Sequence, residues 1–203
     1  MLWWLLAACC APLEIESGVD VHAPGPIAST GTRTFLPGPK AAVTSKQCEQ
    51  LADGGAVSGP DCLSGVLACD QVMVGHTLGG VENYDSRFYE KSFCTPFTTN
   101  HDGGDERVYR LDLPDGEWRY EIWLDTPCAD LSLFAFPGRD IDSCPQPGSI
   151  TRKCEASVKS GAAREKIDIV HQGAAVPWFV VVEGPDDEEG AFALHVTCAP
   201  GVQ

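Results

Sequence analysis

The sequence of 203 residues predicts an all-β protein, an antiparallel β-sandwich held by disulfides and preceded by a disordered N-terminal tether. Two observations predict this class. From Cys69 onward, short apolar segments are separated by Gly- and Pro-rich turns, with almost no helical period. Ten cysteines are also dispersed along the chain, and a reducing compartment does not favour such a set unless the thiols bind metal or react. We therefore expect an exported chain of roughly six to nine short strands.

The first residues are typical of an export signal. Leu2 to Ala8 is apolar but too short to cross a bilayer, which needs about 20 residues. Leu6-Ala7-Ala8-Cys9 resembles the lipobox of bacterial lipoproteins, in which the cysteine carries the lipid. We therefore predict a lipoprotein-type signal peptide over residues 1–8 and lipidation at Cys9, which would make the membrane a partner. A plain secretory signal followed by a cysteine pair is the alternative.

Residues 9–47 are predicted to be the tether, because several prolines and small polar residues leave no apolar period there. The folded domain is expected over residues 48–203. At its start, Ser45 to Asp53 is long enough for two helical turns, with Ser45 as the N-cap. Gln71 to Thr77 is the first predicted strand.

Arg107 to Leu113 and Glu117 to Leu124 both alternate apolar and polar residues, as expected of strands with one buried face. Between them, Pro114-Asp115-Gly116 is typical of a turn, since proline presets φ and glycine accepts a positive φ. The two segments are therefore predicted to form a β-hairpin. On the second strand, Trp123 lies on the polar face.

The remaining strands are predicted from apolar runs. Val176 to Val182 is apolar on both faces, as expected of a central strand, with Pro177 tolerated at its beginning. The other predicted strands are Leu131 to Phe136, Ile167 to His171 and Phe192 to Thr197.

The charge balance excludes some partners. Lys and Arg total 14 against 29 Asp and Glu, a formal net charge of -15. Nucleic-acid binders and proteins that dock on anionic lipid through basic residues need the opposite sign, so neither class is expected. The acidity is explained either by solubility or by calcium, which prefers carboxylate and carbonyl oxygens.

A series of short motifs extends from Cys62 to Cys198. It comprises Val74-Gly-His-Thr-Leu-Gly-Gly80, Cys94, Gly104-Asp-Glu-Arg-Val-Tyr-Arg-Leu111, Ala129-Asp-Leu-Ser-Leu-Phe-Ala-Phe136, Trp178-Phe-Val-Val-Val-Glu-Gly184 and Gly190-Ala-Phe-Ala-Leu-His-Val-Thr-Cys198. In order and spacing it resembles the bacterial pre-peptidase C-terminal (PPC) domain family. The resemblance implies a jelly-roll-like β-sandwich and an accessory role beside secreted peptidases. Some members bind calcium, polysaccharide or collagen-like polymers.

No motif for catalysis is present, so we expect no enzyme and no required cofactor. The candidate metal ligands are Asp102, Asp105 and Glu106, clustered around two glycines that let the backbone turn tightly. A solvated acidic turn is the alternative. Trp123 is the candidate ligand-binding residue, as a platform on which a sugar stacks, and it is equally suited to cover a neighbouring loop.

Eight cysteines beyond the Cys9-Cys10 pair predict four disulfides. Cys144 and Cys154 are joined by a short Pro- and Gly-containing segment, which a turn can close to the Cα separation of about 4.4–6.8 Å that a disulfide needs. The PPC resemblance implies Cys69–Cys94. Cys62–Cys198 is expected to tie the start of the domain to its last strand, and Cys48–Cys128 is the remaining pair.

These observations favour a non-catalytic binding or structural module of the cell envelope, anchored by lipid at the outer membrane or cell surface, or else periplasmic or secreted. The alternative is a calcium-binding accessory domain that targets a partner hydrolase to a polysaccharide or protein polymer.

Overall fold

A computed structural model describes residues 38–41, 44–50, 62–92, 94, 100–139, 143–146 and 154–201. All of them belong to one compact unit, Pro37–Gln203. The predicted signal over residues 1–8, the lipidation site Cys9 and most of the predicted tether over residues 9–47 lie outside the described residues.

The predicted all-β sandwich is confirmed, because nine strands among the described residues form two sheets. The strands are β1 (Leu63–Leu67), β2 (Val72–His76), β3 (Arg107–Leu113), β4 (Gly116–Asp125), β5 (Ser132–Pro137), β6 (Glu155–Ser157), β7 (Glu165–Gly173), β8 (Val176–Glu183) and β9 (Ala191–Pro200). The five-stranded sheet has the order β1-β3-β8-β5-β6, and the four-stranded sheet has the order β2-β9-β4-β7. All pairs are antiparallel except β1 with β3.

The main core lies between the two sheets. Alternate residues of the long strands point into it, including Leu111 on β3, Ile122 on β4, Val180 on β8 and Leu194 on β9. Because period-2 alternation places every second side chain on one face, the polar residues between them face outward. The hydrophobic interior is therefore the direct product of the alternation seen in the sequence.

A second core covers the outer face of the five-stranded sheet. Helix α1 (Ser86–Lys91) packs there, and its Tyr89 ring stacks on Phe134 of β5 with centroids 4.2 Å apart. The Asp85 side chain caps the helix by accepting a hydrogen bond from Phe88 N at 2.7 Å. Strand β8 is thus buried on both faces, which confirms its prediction as a central strand.

The predicted hairpin of β3 and β4 is wrong. Strand β3 pairs with β1 and β8, whereas β4 pairs with β7 and β9, so the two strands belong to different sheets. The turn at Pro114-Asp115-Gly116, with Gly116 at φ +106°, crosses from one sheet to the other. Both arrangements turn the apolar faces of β3 and β4 toward one core, so alternation alone does not distinguish them.

One of the four predicted disulfides is confirmed. Cys48 lies in a 3-10 helix (Ser45–Gln50) and pairs with Cys128 with a Cα–Cα distance of 5.4 Å.

The predicted pairs Cys69–Cys94 and Cys62–Cys198 are wrong, because Cys69 pairs with Cys198. Strand β2 runs antiparallel to β9 with Val72 opposite His195. Cys69 is three residues before Val72 and Cys198 is three residues after His195, so the same register places the two cysteines opposite each other. The Cα–Cα distance is 5.5 Å. The β2–β9 register therefore determines this disulfide.

The predicted pair Cys144–Cys154 is also wrong. Cys144 pairs with Cys62 and Cys154 pairs with Cys94. Cys62 directly precedes β1 at one edge of the five-stranded sheet, and Cys154 directly precedes β6 at the other edge. These two disulfides fasten segments across the second core instead of closing a local turn.

Candidate functional site

The three predicted metal ligands are each hydrogen-bonded to a different backbone segment. Asp102 Oδ1 accepts from Ser86 N at 2.9 Å, and Asp105 Oδ2 accepts from Gly79 N at 2.8 Å. Glu106 is fully buried, and its two oxygens accept from Asn83 N at 2.8 Å and Tyr84 N at 2.6 Å. These carboxylates fasten the loops at one end of the sandwich.

The same end gathers a second acidic loop. Asp105 N donates to Glu189 Oε1 at 2.7 Å, and Asp186 N donates to the carbonyl oxygen of Asn100 at 2.9 Å. Within the described ranges, no group of three or more His, Cys, Asp or Glu side chains is arranged to hold a metal ion. Calcium binding here stays a prediction, in which the ion would compete with backbone N–H groups for the oxygens of these carboxylates.

A buried polar trio lies beneath this end, and no local sequence pattern predicts it. The Tyr89 hydroxyl donates to Glu183 Oε2, and His101 Nδ1 lies 3.8 Å from Glu183 Oε1. The three side chains are 0–1% exposed. Burial, followed by the charge of Glu106, raises the pKa of Glu183 well above its usual range, and burial lowers the pKa of His101. Such a trio holds protons out of reach of a dissolved substrate.

Trp123 lies in the middle of the outer face of the four-stranded sheet. It is directly opposite Lys166 of β7 on one side and His195 of β9 on the other. The guanidinium of Arg164 and the ammonium of Lys166 lie 4.8 Å and 5.0 Å from its ring centroid. Cations at this distance are attracted to the negative face of an indole, so they hold the ring in one orientation.

Paired charges surround the ring. Lys166 Nζ lies 3.1 Å from carboxylate oxygens of both Glu121 and Asp168, and Arg119 lies 3.1 Å from Asp168. We call Trp123 with Arg119, Glu121, Arg164, Lys166 and Asp168 the Trp123 patch.

A chain of charged and polar side chains adjoins the patch, with an ion pair at one end and a buried hydrogen bond at the other. Arg164 Nε lies 2.7 Å from Asp125 Oδ1, and the other oxygen of Asp125 is 2.8 Å from His195 Nε2. Asp125 and His195 are each 4% exposed although they point away from the main core. Gly38 also lies against Trp123 on this outer face.

The sequence held a signal for the cations of the patch. Arg164 and Lys166 are two residues apart in a strand-like run, so period 2 places them on one face. That this face lies beside Trp123 depends on the β4–β7 register, in which Trp123 is opposite Lys166. The pairing of Asp125 with His195 likewise depends on strand order, which no local pattern encodes.

The four disulfides indicate a chain that folds in an oxidising compartment, as exported proteins do. Over the part of the chain that the structure describes, no helix is long and apolar enough to span a bilayer.

No family model matches this chain, and no curated protein matches it. Among solved structures, it is similar to the pre-peptidase C-terminal domain of a collagenase from Bacillus anthracis, with a TM-score of 0.41 and 10% identity. The match covers 69% of this chain and 98% of that one. That domain belongs to the family that the sequence motifs resemble.

Proposed function

We propose that this chain is an exported, non-catalytic module that binds a polysaccharide of the cell surface through the Trp123 patch. The observation that carries the proposal is an oriented indole ring, held by Arg164 and Lys166 on an outer sheet face among fixed polar side chains. A sugar ring stacks on an indole through its C–H groups while its hydroxyls bond to neighbouring charged groups. An aromatic anchor ringed by polar side chains is the usual form of a binding hot spot.

The charge of the patch selects the class of polymer. Its cations, Arg119, Arg164 and Lys166, are matched by Glu121 and Asp168 and by the adjoining Asp125. The surface around Trp123 is thus neutral on a chain of net charge -15. A neutral polysaccharide meets no repulsion there, whereas a polyanion is repelled by the molecule as a whole.

The non-catalytic part of the proposal follows from where the acid and base groups lie. Glu183, Tyr89 and His101 are enclosed, and Glu106 is held by two backbone N–H groups. A general acid or base has to come within hydrogen-bond reach of the substrate. Among the described residues, these perturbed groups stabilise loops and are shielded from any substrate.

Placement at the cell surface depends on Cys9. A lipid on this residue would hold the module at the membrane, with the outer membrane or cell surface as its location. Labelling with a palmitate analogue in a bacterial host tests the anchor, because Cys9→Ser should abolish the label. Unlabelled, soluble wild-type protein would show that the anchor is absent and that the module is periplasmic or secreted.

Binding is tested with a glycan array and pull-downs on insoluble polysaccharides, with and without chelator. The expected result is binding of a neutral polymer that chelator leaves unchanged and Trp123→Ala abolishes. Val66→Ala is the matched control, since it removes an apolar side chain that is 50% exposed on the other sheet. Binding that survives Trp123→Ala would contradict the proposed face, and binding lost with chelator would favour the calcium-dependent alternative.

A further inference from the structure

The backbone of Gly38 lies against the ring of Trp123. A Cβ atom built on Gly38 would be 2.8 Å from Cη2, 3.0 Å from Cζ2 and 3.2 Å from Cζ3 of that ring. These near-equal distances place Gly38 over the face of the ring, since an approach along its edge would leave the outer two atoms much farther away. The glycine therefore lies where a stacked sugar would lie.

Gly38 belongs to a short segment, Gly38–Ala41, which we call the strap. Farther along the chain, the Cys48–Cys128 disulfide fastens the chain to the loop that follows β4, three residues beyond Asp125 at the strand's end. The chain that carries the strap is thus covalently held next to the strand that carries Trp123.

The strap itself is weakly held. Among the described residues, no hydrogen bond or ion pair joins Gly38–Ala41 to another residue, and Gly38, Lys40 and Ala41 are exposed. Segments with few apolar contacts and no hydrogen-bonded partner open at low free energy. The strap can therefore leave the ring while the disulfide keeps it nearby.

The indole N–H gives a second indication of a ligand. Trp123 Nε1 is shielded from solvent and has no hydrogen-bond partner among the described residues. An N–H group that is shielded from water and has no acceptor costs free energy, and native structures rarely contain such unpaired donors. A sugar oxygen entering the patch would supply the acceptor that the strap does not.

We propose that the strap is a displaceable cover of the Trp123 patch, which a polysaccharide replaces by stacking on Trp123 and accepting a hydrogen bond from its indole N–H. This inference rests on the proposed function and adds its regulation. The apparent affinity of a covered site is the intrinsic affinity multiplied by the uncovered fraction. Opening the strap should therefore tighten binding without changing any residue that contacts the polymer.

Gly38→Val tests the cover, because a Cβ at this position comes too close to the ring, and Arg164 and Lys166 hold that ring in place, so we expect the strap to move away. Ala41→Val is the matched control, since Ala41 is exposed and is not the residue that lies on the ring. The first measurement needs no ligand. In ¹H–¹⁵N spectra, the Trp123 indole signal, identified by its loss in Trp123→Phe, is broadened by a soluble paramagnetic agent. We expect severalfold stronger broadening in Gly38→Val and no change in Ala41→Val.

The second measurement is the affinity for the polysaccharide retained in the pull-downs. If the strap covers the ring nine-tenths of the time, Gly38→Val should bind about tenfold more tightly than the wild type. Unchanged broadening in Gly38→Val would overturn the inference, as would wild-type affinity despite increased broadening. Failure of every variant to bind any polymer would instead overturn the proposed function, so the two failures are distinguishable.

Discussion

Removing the Cys69–Cys198 disulfide should destabilise the domain strongly. The perturbation is the double substitution Cys69→Ala and Cys198→Ala, which removes the bridge without leaving a free thiol. The bridge spans 129 residues, and the chain-entropy relation gives about 5 kcal/mol for a loop of that length. Since Cys62–Cys144 shortens the route between the two residues to about 60 residues, the expected loss is about 4 kcal/mol.

The assay is urea unfolding with linear extrapolation, in which the midpoint should fall at a nearly constant slope. Peptide mapping without reductant checks that the other three disulfides are intact. The variant for comparison removes the Cys48–Cys128 disulfide instead, because that bridge spans 80 residues and lies at the edge of the described fold. A loss below about 1 kcal/mol, or a map that joins Cys69 to another cysteine, would refute the role that the β2–β9 register gives this disulfide.

Three further predictions follow from the acidic end and the N-terminus. Burial raises the pKa of Glu106 to about 8 and raises the pKa of Glu183 well above its usual range. The stability that Glu106 contributes is therefore full below about pH 4.5 and is lost as pH rises through 8, and the contribution of Glu183 is likewise lost as pH rises. The unfolding free energy should fall from pH 5 to pH 9, less steeply in Glu183→Gln; parallel curves would contradict this. The carboxylates of Asp102 and Asp105 already accept backbone hydrogen bonds, so we expect no change in Tm with millimolar calcium. A rise in Tm that Asp105→Ala removes would instead establish the calcium site. Palmitate labelling should depend on Cys9, as checked by Cys9→Ser.

Local pattern predicted seven of the nine strands in the described residues, but it missed β6 and also β1, which precedes the segment predicted as the first strand. The bounds predicted for Arg107–Leu113 are those observed for β3, because alternation and a Pro-Asp-Gly turn are encoded within a few residues. The outward position of Trp123 followed from the same period. Helix α1 was missed, since six residues are too few for a helical period to appear, and it is stabilised by packing of Phe88 and Tyr89 on the sheet.

Pairings between distant segments were not predictable in the same way. The Pro-Asp-Gly turn after β3 has the same sequence signature whether β4 stays in the sheet of β3 or crosses to the other sheet. Only the strands that pair with β4 determine which of the two arrangements forms. The disulfides failed for a related reason. Cys144 and Cys154 are close in sequence, but Cys144 pairs with Cys62, which precedes β1 at one edge of the five-stranded sheet, whereas Cys154 precedes β6 at the other edge.

The candidate site was also predicted only where local pattern encodes it. The sequence identified Trp123 from its position on a polar face, but not the cations that orient it or the glycine that covers it. Arg164 and Gly38 lie 41 and 85 positions away from Trp123 in the chain, and they meet it only through the β4–β7 pairing and the path of the strap.

The central claim is that a neutral polysaccharide binds at Trp123, and a ¹H–¹⁵N titration with a soluble oligomer of that polymer tests it most directly. The predicted result is a shift of the Trp123 indole signal together with backbone signals of β4 and β7 around it, and loss of these shifts in Trp123→Ala. Truncating an aromatic anchor should weaken binding by about 2 kcal/mol, roughly thirtyfold. Shifts confined to the acidic loops over residues 100–106 and 183–189, with the Trp123 signal unmoved, would contradict the account.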